Sequence, residues 1–165
     1  MRNFLLISTI WPLLSMAALR PTTFKPQTSA LQVVQRQIGG VAGSGFSLLN
    51  VQKIQSPNGK IERLVFEIGT KEGQSLKGLP GYFNVQNQTG RIVLDFSQMF
   101  SSKVDERLMK AILKNSKMVS SFHMTSDPLD QTLSLILNLK RPVQMKTLQI
   151  EGRKQTAKVV LDIIK

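Results

Sequence analysis

RIVLDF at Arg91–Phe96 and KVVLDI at Lys158–Ile163 are one strand written twice. Each opens on a basic residue, runs through three aliphatics and an aspartate, and ends on an apolar residue. Ile92, Leu94 and Phe96 alternate, which puts them on one face of an extended chain whose period is two. A similar run lies upstream of each copy: RLVFEI (Arg63–Ile68) before the first and LSLILNL (Leu133–Leu139) before the second. Leu64, Phe66 and Ile68 share a face opposite Arg63, Val65 and Glu67. Leu133, Leu135, Leu137 and Leu139 form a stripe opposite Ser134, Ile136 and Asn138. The chain thus repeats one β unit, in halves of about 48–100 and 117–165.

The remaining strands follow from their turns. LLNVQKIQS starts the first half and stops at Ser56-Pro57-Asn58-Gly59. Tyr82 to Gln86 leads into Asn87-Gln88-Thr89-Gly90, a hairpin loop with glycine at its end. Met118 to Thr125 starts the second half and stops at Ser126-Asp127-Pro128. Val143 to Ile150, the turn at Glu151-Gly152-Arg153-Lys154, and Ala157 to Ile164 make the last hairpin. No strand–helix alternation runs along the chain, which excludes a parallel α/β sheet. The reading is all-β with one short helix: a small β-sandwich of two similar sheets, about eight strands in all.

The helix joins the halves at 103–115. Val104, Leu108 and Ile112 recur at helical spacing and should form its buried face. Ser102 is the expected cap, with Asp105 three residues on as in a capping box. Lys110, Lys114 and Lys117 fall late, where the helix dipole favours cations, and read as a solvated helix end.

The N-terminus reads as an address. Arg2 is followed by the apolar run FLLISTIWPLL (Phe4–Leu14) and by the small residues Ser15-Met16-Ala17, the order of a secretory signal peptide. The run is about half the ~20 residues of a spanning helix, and Pro12 interrupts it. Residues 1–17 are therefore expected to be removed after export to the periplasm, leaving no membrane span in the mature chain. Residues 18–47 hold prolines and glycines without a sustained period and read as a flexible tether, with room for one short strand or turn around Leu31–Ile38.

The chain of 165 residues carries 22 Lys and Arg against 10 Asp and Glu, a net +12. Such a surface favours anionic partners: nucleic acid, an anionic membrane surface or an acidic wall polymer. With no cysteine, disulfides, thiolate catalysis and cysteine-type zinc sites are excluded. Export and the scarcity of aromatics for base stacking argue against nucleic acid.

The order of these strands behind a signal peptide, ending each time in R-I-V-L-D-F or K-V-V-L-D-I, resembles the AMIN domain family over Leu48 to Lys165. Those domains occur in exported cell-wall amidases and in type IV pilus secretins. The resemblance implies a sandwich of two similar four-stranded sheets and a role in binding peptidoglycan, so as to place an enzyme or a pore. The sequence departs from the pattern at Thr132, where an arginine usually opens the strand, and at Lys158, where arginine is common. Glu67 and Asn138 stand in for aspartate. The chain ends at Lys165 without an amidase or secretin domain, so the expectation is a stand-alone module.

Catalytic constellations are not expected. His123 is the one histidine and reads as structural or surface. Asp127 and Asp130 flank Pro128; they could make a glycosidase-like pair but read as turn formers. No cofactor or metal is expected, and the chain is not read as an enzyme. The candidate ligand-binding residues are basic: Arg63, Arg91, Lys140, Arg141, Lys146, Arg153, Lys154 and Lys158. Lys140, Lys146 and Lys158 are expected on neighbouring strands as one basic face that pairs with stem-peptide carboxylates; the alternative is scattered charge for solubility. Arg63 and Arg91 would either touch the ligand or pair with Glu67 or Asp95. The functional expectation is a non-catalytic envelope module that binds peptidoglycan. The alternatives are a protein that docks to a pilus, secretin or amidase partner through a sheet edge, and a nucleic-acid binder.

Overall fold

A computed structural model describes residues 35–41, 45–70, 81–152 and 156–165. The expected signal peptide, the first part of the tether, and Arg153 and Lys154 lie outside the described residues. In chain order the elements are β1 (Gln35–Gly39), β2 (Phe46–Gln55), β3 (Ile61–Thr70), β4 (Tyr82–Gln88), β5 (Arg91–Ser97), β6 (Met99–Ser102), α1 (Glu106–Leu113), β7 (Val119–Asp127), β8 (Thr132–Leu139), β9 (Gln144–Glu151) and β10 (Thr156–Ile164). They form an all-β sandwich of two five-stranded sheets. The first has the order β6-β2-β3-β10-β9 and the second β1-β4-β5-β8-β7.

The two halves interlock, because each gives one hairpin to each sheet. β2–β3 and β9–β10 meet in the first sheet along the β3–β10 seam. β4–β5 and β7–β8 meet in the second along the β5–β8 seam. Exchanging the halves (β2 with β7, β3 with β8, β4 with β9, β5 with β10) turns one sheet into the other. The register carries this equivalence to single residues. Asp162 faces Arg63 and Lys158 faces Glu67 in the first sheet; Asp95 faces Ser134 and Arg91 faces Asn138 in the second. Ser134, and not Thr132, therefore occupies the position of Arg63. Even the bulges repeat: the register slips between Leu48 and Asn50 in β2 and between Val119 and Ser121 in β7. A repeated bulge bends both strands alike, as a duplicated fold requires.

The core lies between the sheets and is built from the alternating residues. Leu64, Phe66, Ile68, Ile92, Leu94, Phe96, Leu133, Leu135 and Leu137 are all buried, and Leu139 is half-buried. Phe66 from the first sheet meets Phe96 from the second at a ring-centroid distance of 5.3 Å and a tilt of 57°. That geometry suits the ring quadrupoles and adds about 0.5–1.5 kcal/mol to the burial itself. The Thr89-Gly90 turn closes β4 on β5, with Gly90 at φ +75°, a conformation that favours glycine.

Three local expectations are corrected. Two strands exceed the expected eight: β1, where the tether left room for one short strand, and β6. Both are edge strands, paired on one side only, so their patterns are too short and one-sided to stand out. The helix is capped by Asp105, whose side chain accepts from the Leu108 amide at 2.7 Å. Ser102 instead forms a local loop with Val104, donating to its carbonyl at 2.7 Å. Starting later, the helix buries Met109 and Leu113, and leaves Leu108 exposed.

Candidate ligand-binding face

The expected basic face is divided. Lys146 and Lys158 lie on the outer face of the first sheet, two rows apart on β9 and β10. Lys140 follows β8 in the other sheet, and its Nζ donates to the Ser116 carbonyl at 2.7 Å. Arg91 opens β5 in the second sheet and donates from Nε to Gln88 Oε1 at 2.7 Å, not to Asp95. Arg141 lines a pocket of about 220 Å³ with Lys117, Lys165 and the Asn58-Gly59 turn.

Arg63 is committed across the seam. Its Nε and Nη2 donate to Asp162 Oδ1 and Oδ2 at 2.6 and 2.8 Å, a two-pronged ion pair between the halves. Asp162 is largely buried while the Arg63 side chain is 45% exposed. The hydrogen bond to Asp162, and then its charge, raise the guanidinium further above its ordinary value. The partner is Asp162 rather than Glu67, because cross-strand neighbours in register lie closer than same-strand ones.

The outer face of the second sheet holds what the basic residues alone did not reveal. Its register lines up three rows. The first is Arg36, Gln86, Val93, Ile136 and His123. The second is Ile38, Asn84, Asp95, Ser134 and Thr125, and the third Gln88, Arg91, Asn138 and Ser121. Side chains link along and between the rows. Arg36 Nε donates to Asn84 Oδ1 at 2.9 Å, and Gln88 Nε2 to Gln86 Oε1 at 3.2 Å. Ser134 Oγ donates to Asp95 Oδ1 at 2.7 Å, and Asn138 Nδ2 to Ser121 Oγ at 2.9 Å. These groups are half-buried or exposed, and each amide keeps further hydrogen-bonding capacity for an incoming molecule. These amides and hydroxyls, with guanidinium groups in two of the rows, can exchange hydrogen bonds with hydroxyls and amides and can pair with carboxylates.

The sequence signal for these residues was present: Asn84, Gln86, Ser134 and Asn138 are the polar half of the same alternation that marked the core. A charge-led search passes over them because they are neutral. His123 is exposed on the edge strand β7. Asp127 and Asp130 accept the amides of Leu129 and Thr132, both at 2.8 Å, as turn formers do. Among the described residues, no group of three or more His, Asp or Glu side chains stands together to hold a metal. No described helix is long and apolar enough to cross a membrane.

A second polar feature lies inside. Glu62 sits at a core position of β3, 1% exposed, and accepts from the Ser116 hydroxyl and, at 2.9 Å, from the Lys117 amide. Ser116 Oγ in turn accepts the Val119 amide at 2.7 Å. Glu62 thus anchors the segment that joins α1 to β7.

No protein-family model matches this sequence, and no curated protein is significantly similar to it.

Proposed function

We propose that this chain is a non-catalytic module of the cell envelope that binds peptidoglycan through the outer face of the second sheet. The observation that carries the reading is the three-row face in which Asn84, Gln86, Ser134 and Asn138 surround Val93 and Ile136. Peptidoglycan offers sugar hydroxyls and N-acetyl amides along its glycan, and carboxylates on its stem peptides. The side-chain amides match the first, and Arg36 and Arg91 match the second. The links among the side chains reduce the rotamer freedom lost on binding. The net charge of +12 would concentrate the protein near an anionic wall before contact forms. The signal-peptide pattern and the resemblance to AMIN domains support the same compartment and ligand.

The test is co-sedimentation of the chain with purified peptidoglycan sacculi at low and moderate salt. The expected result is binding that persists at moderate salt, because most contacts are neutral. Gln86→Ala, Gln88→Ala and Asn138→Ala together should weaken it about tenfold, as loss of three hydrogen-bonding groups implies. Lys146→Ala and Lys158→Ala on the other sheet should not. Absence of co-sedimentation at either salt would overturn the reading, as would loss of binding only on removal of the first sheet's lysines.

A further inference from the structure

The duplication makes β7 the counterpart of β2, yet the two edges are treated differently. β2 is covered by β6, which runs parallel to it and pairs Phe46 with Met99 and Leu48 with Ser102. β7 ends its sheet, and no described strand lies beyond it. Val51 of β2 is buried, while its counterpart Phe122 of β7 is only half-buried. β9, which ends the first sheet, is already engaged: its Thr147 amide donates to the Gln37 side chain of β1 at 2.6 Å.

Beside the start of β7 runs a groove of about 370 Å³ between that strand and α1. Leu113 and Phe122 form apolar parts of its lining, and Lys110, Lys114 and Lys140 outnumber Glu106 on it. We infer that this edge is a docking site for an extended, acidic peptide segment of a partner protein. The segment adds to β7 as β6 adds to β2, sets an apolar side chain against Phe122 and Leu113, and brings carboxylates to Lys110 and Lys114. Main-chain ladder bonds supply affinity, and the lysine rim selects charge. The groove meets the polar face of the second sheet only at Ser121, and its lysines lie outside that face. A stem peptide of alternating handedness cannot sustain a regular ladder, so it is not the expected occupant.

The experiment uses the full chain and a labelled ten-residue peptide of alternating glutamate and valine. Fluorescence anisotropy reads binding, and amide hydrogen exchange reads its location. Binding with slowed exchange over 119–124 is the expected result. Lys110→Glu with Lys114→Glu, both exposed, should weaken it about tenfold while leaving sacculus binding unchanged. The same peptide N-methylated at alternate residues should not bind, because its ladder donors are gone. The inference is overturned by no binding up to about 1 mM, the weak end of specific affinity. Equal binding of a lysine–valine peptide or of the N-methylated peptide overturns it too, as does binding without protection of β7.

Discussion

At one point the two sheets can be compared atom by atom. On the β3–β10 seam of the first sheet, Asp162 accepts both prongs of Arg63. At the equivalent point of the second, Asp95 accepts the hydroxyl of Ser134. The difference extends outward along the rows. Where the first sheet has Ile54, Leu148 and Ile150, the second has Thr125, Gln86 and Gln88. At these positions one outer face is aliphatic and the other hydrogen-bonding, on the same backbone. The duplicated fold needs only the inward residues, so the outward ones were left to diverge. A face that keeps amides and hydroxyls in register, instead of ion pairs, is the better candidate for a ligand.

The comparison can be broken first in the core, where the sheets should still behave alike. Phe66→Ala and Phe96→Ala should each cost about 3–5 kcal/mol in denaturant unfolding, since each ring is buried and packs on the other. Costs that differ by more than a factor of two would show that one seam dominates the fold. The next effect is asymmetric. Glu62 lies where the second sheet has Leu133, so Glu62→Leu makes the halves more alike, yet strands the Ser116 hydroxyl and the Lys117 amide. The expected loss is about 2–3 kcal/mol, and adding Ser116→Ala should deepen it, because the Val119 amide then loses its acceptor.

Smaller differences sharpen the seam comparison. Arg63→Gln should cost about 2 kcal/mol, leaving a largely buried carboxylate without its cation; the exposure of Arg63 keeps this below a fully buried pair. Ser134→Ala should cost about 1 kcal/mol or less. Because Arg63 is shifted upward, its stabilising share is complete at neutral and mildly alkaline pH and is lost only in strong alkali. Thermal unfolding of wild type and Arg63→Gln should therefore keep a constant gap from pH 6 to about pH 10. A gap that closes across neutrality would place the titration on another group. Smallest in stability is the exchange of outer residues. Leu148→Gln and Ile150→Gln should change stability by about 0.5 kcal/mol or less. Gln86→Leu and Gln88→Ile should be equally mild, yet lower retention on sacculi.

The legible part of the fold was the part written with period two. Leu64 to Ile68, Ile92 to Phe96 and the four leucines of β8 declared their burial because one face of each strand had to leave water. The doubling of RIVLDF as KVVLDI declared the repeat. β6 was not legible, and β1 only as room for a short strand, because a short edge strand is held by ladder bonds to a neighbour rather than by an apolar stripe of its own. The Arg63–Asp162 pair was missed as a pair for a related reason: its members are far apart in the chain, and only the interlocking of the halves brings them into register. Glu62 shows the limit most plainly. It breaks the alternation toward the core, and only the approach of Ser116 and the Lys117 amide shows why a carboxylate belongs there. Local sequence determined which residues face inward, through the cost of leaving apolar surface in water. The tertiary structure decided which strands neighbour each other, and so which polar residues share a face, because register and sheet order are settled by contacts between distant segments.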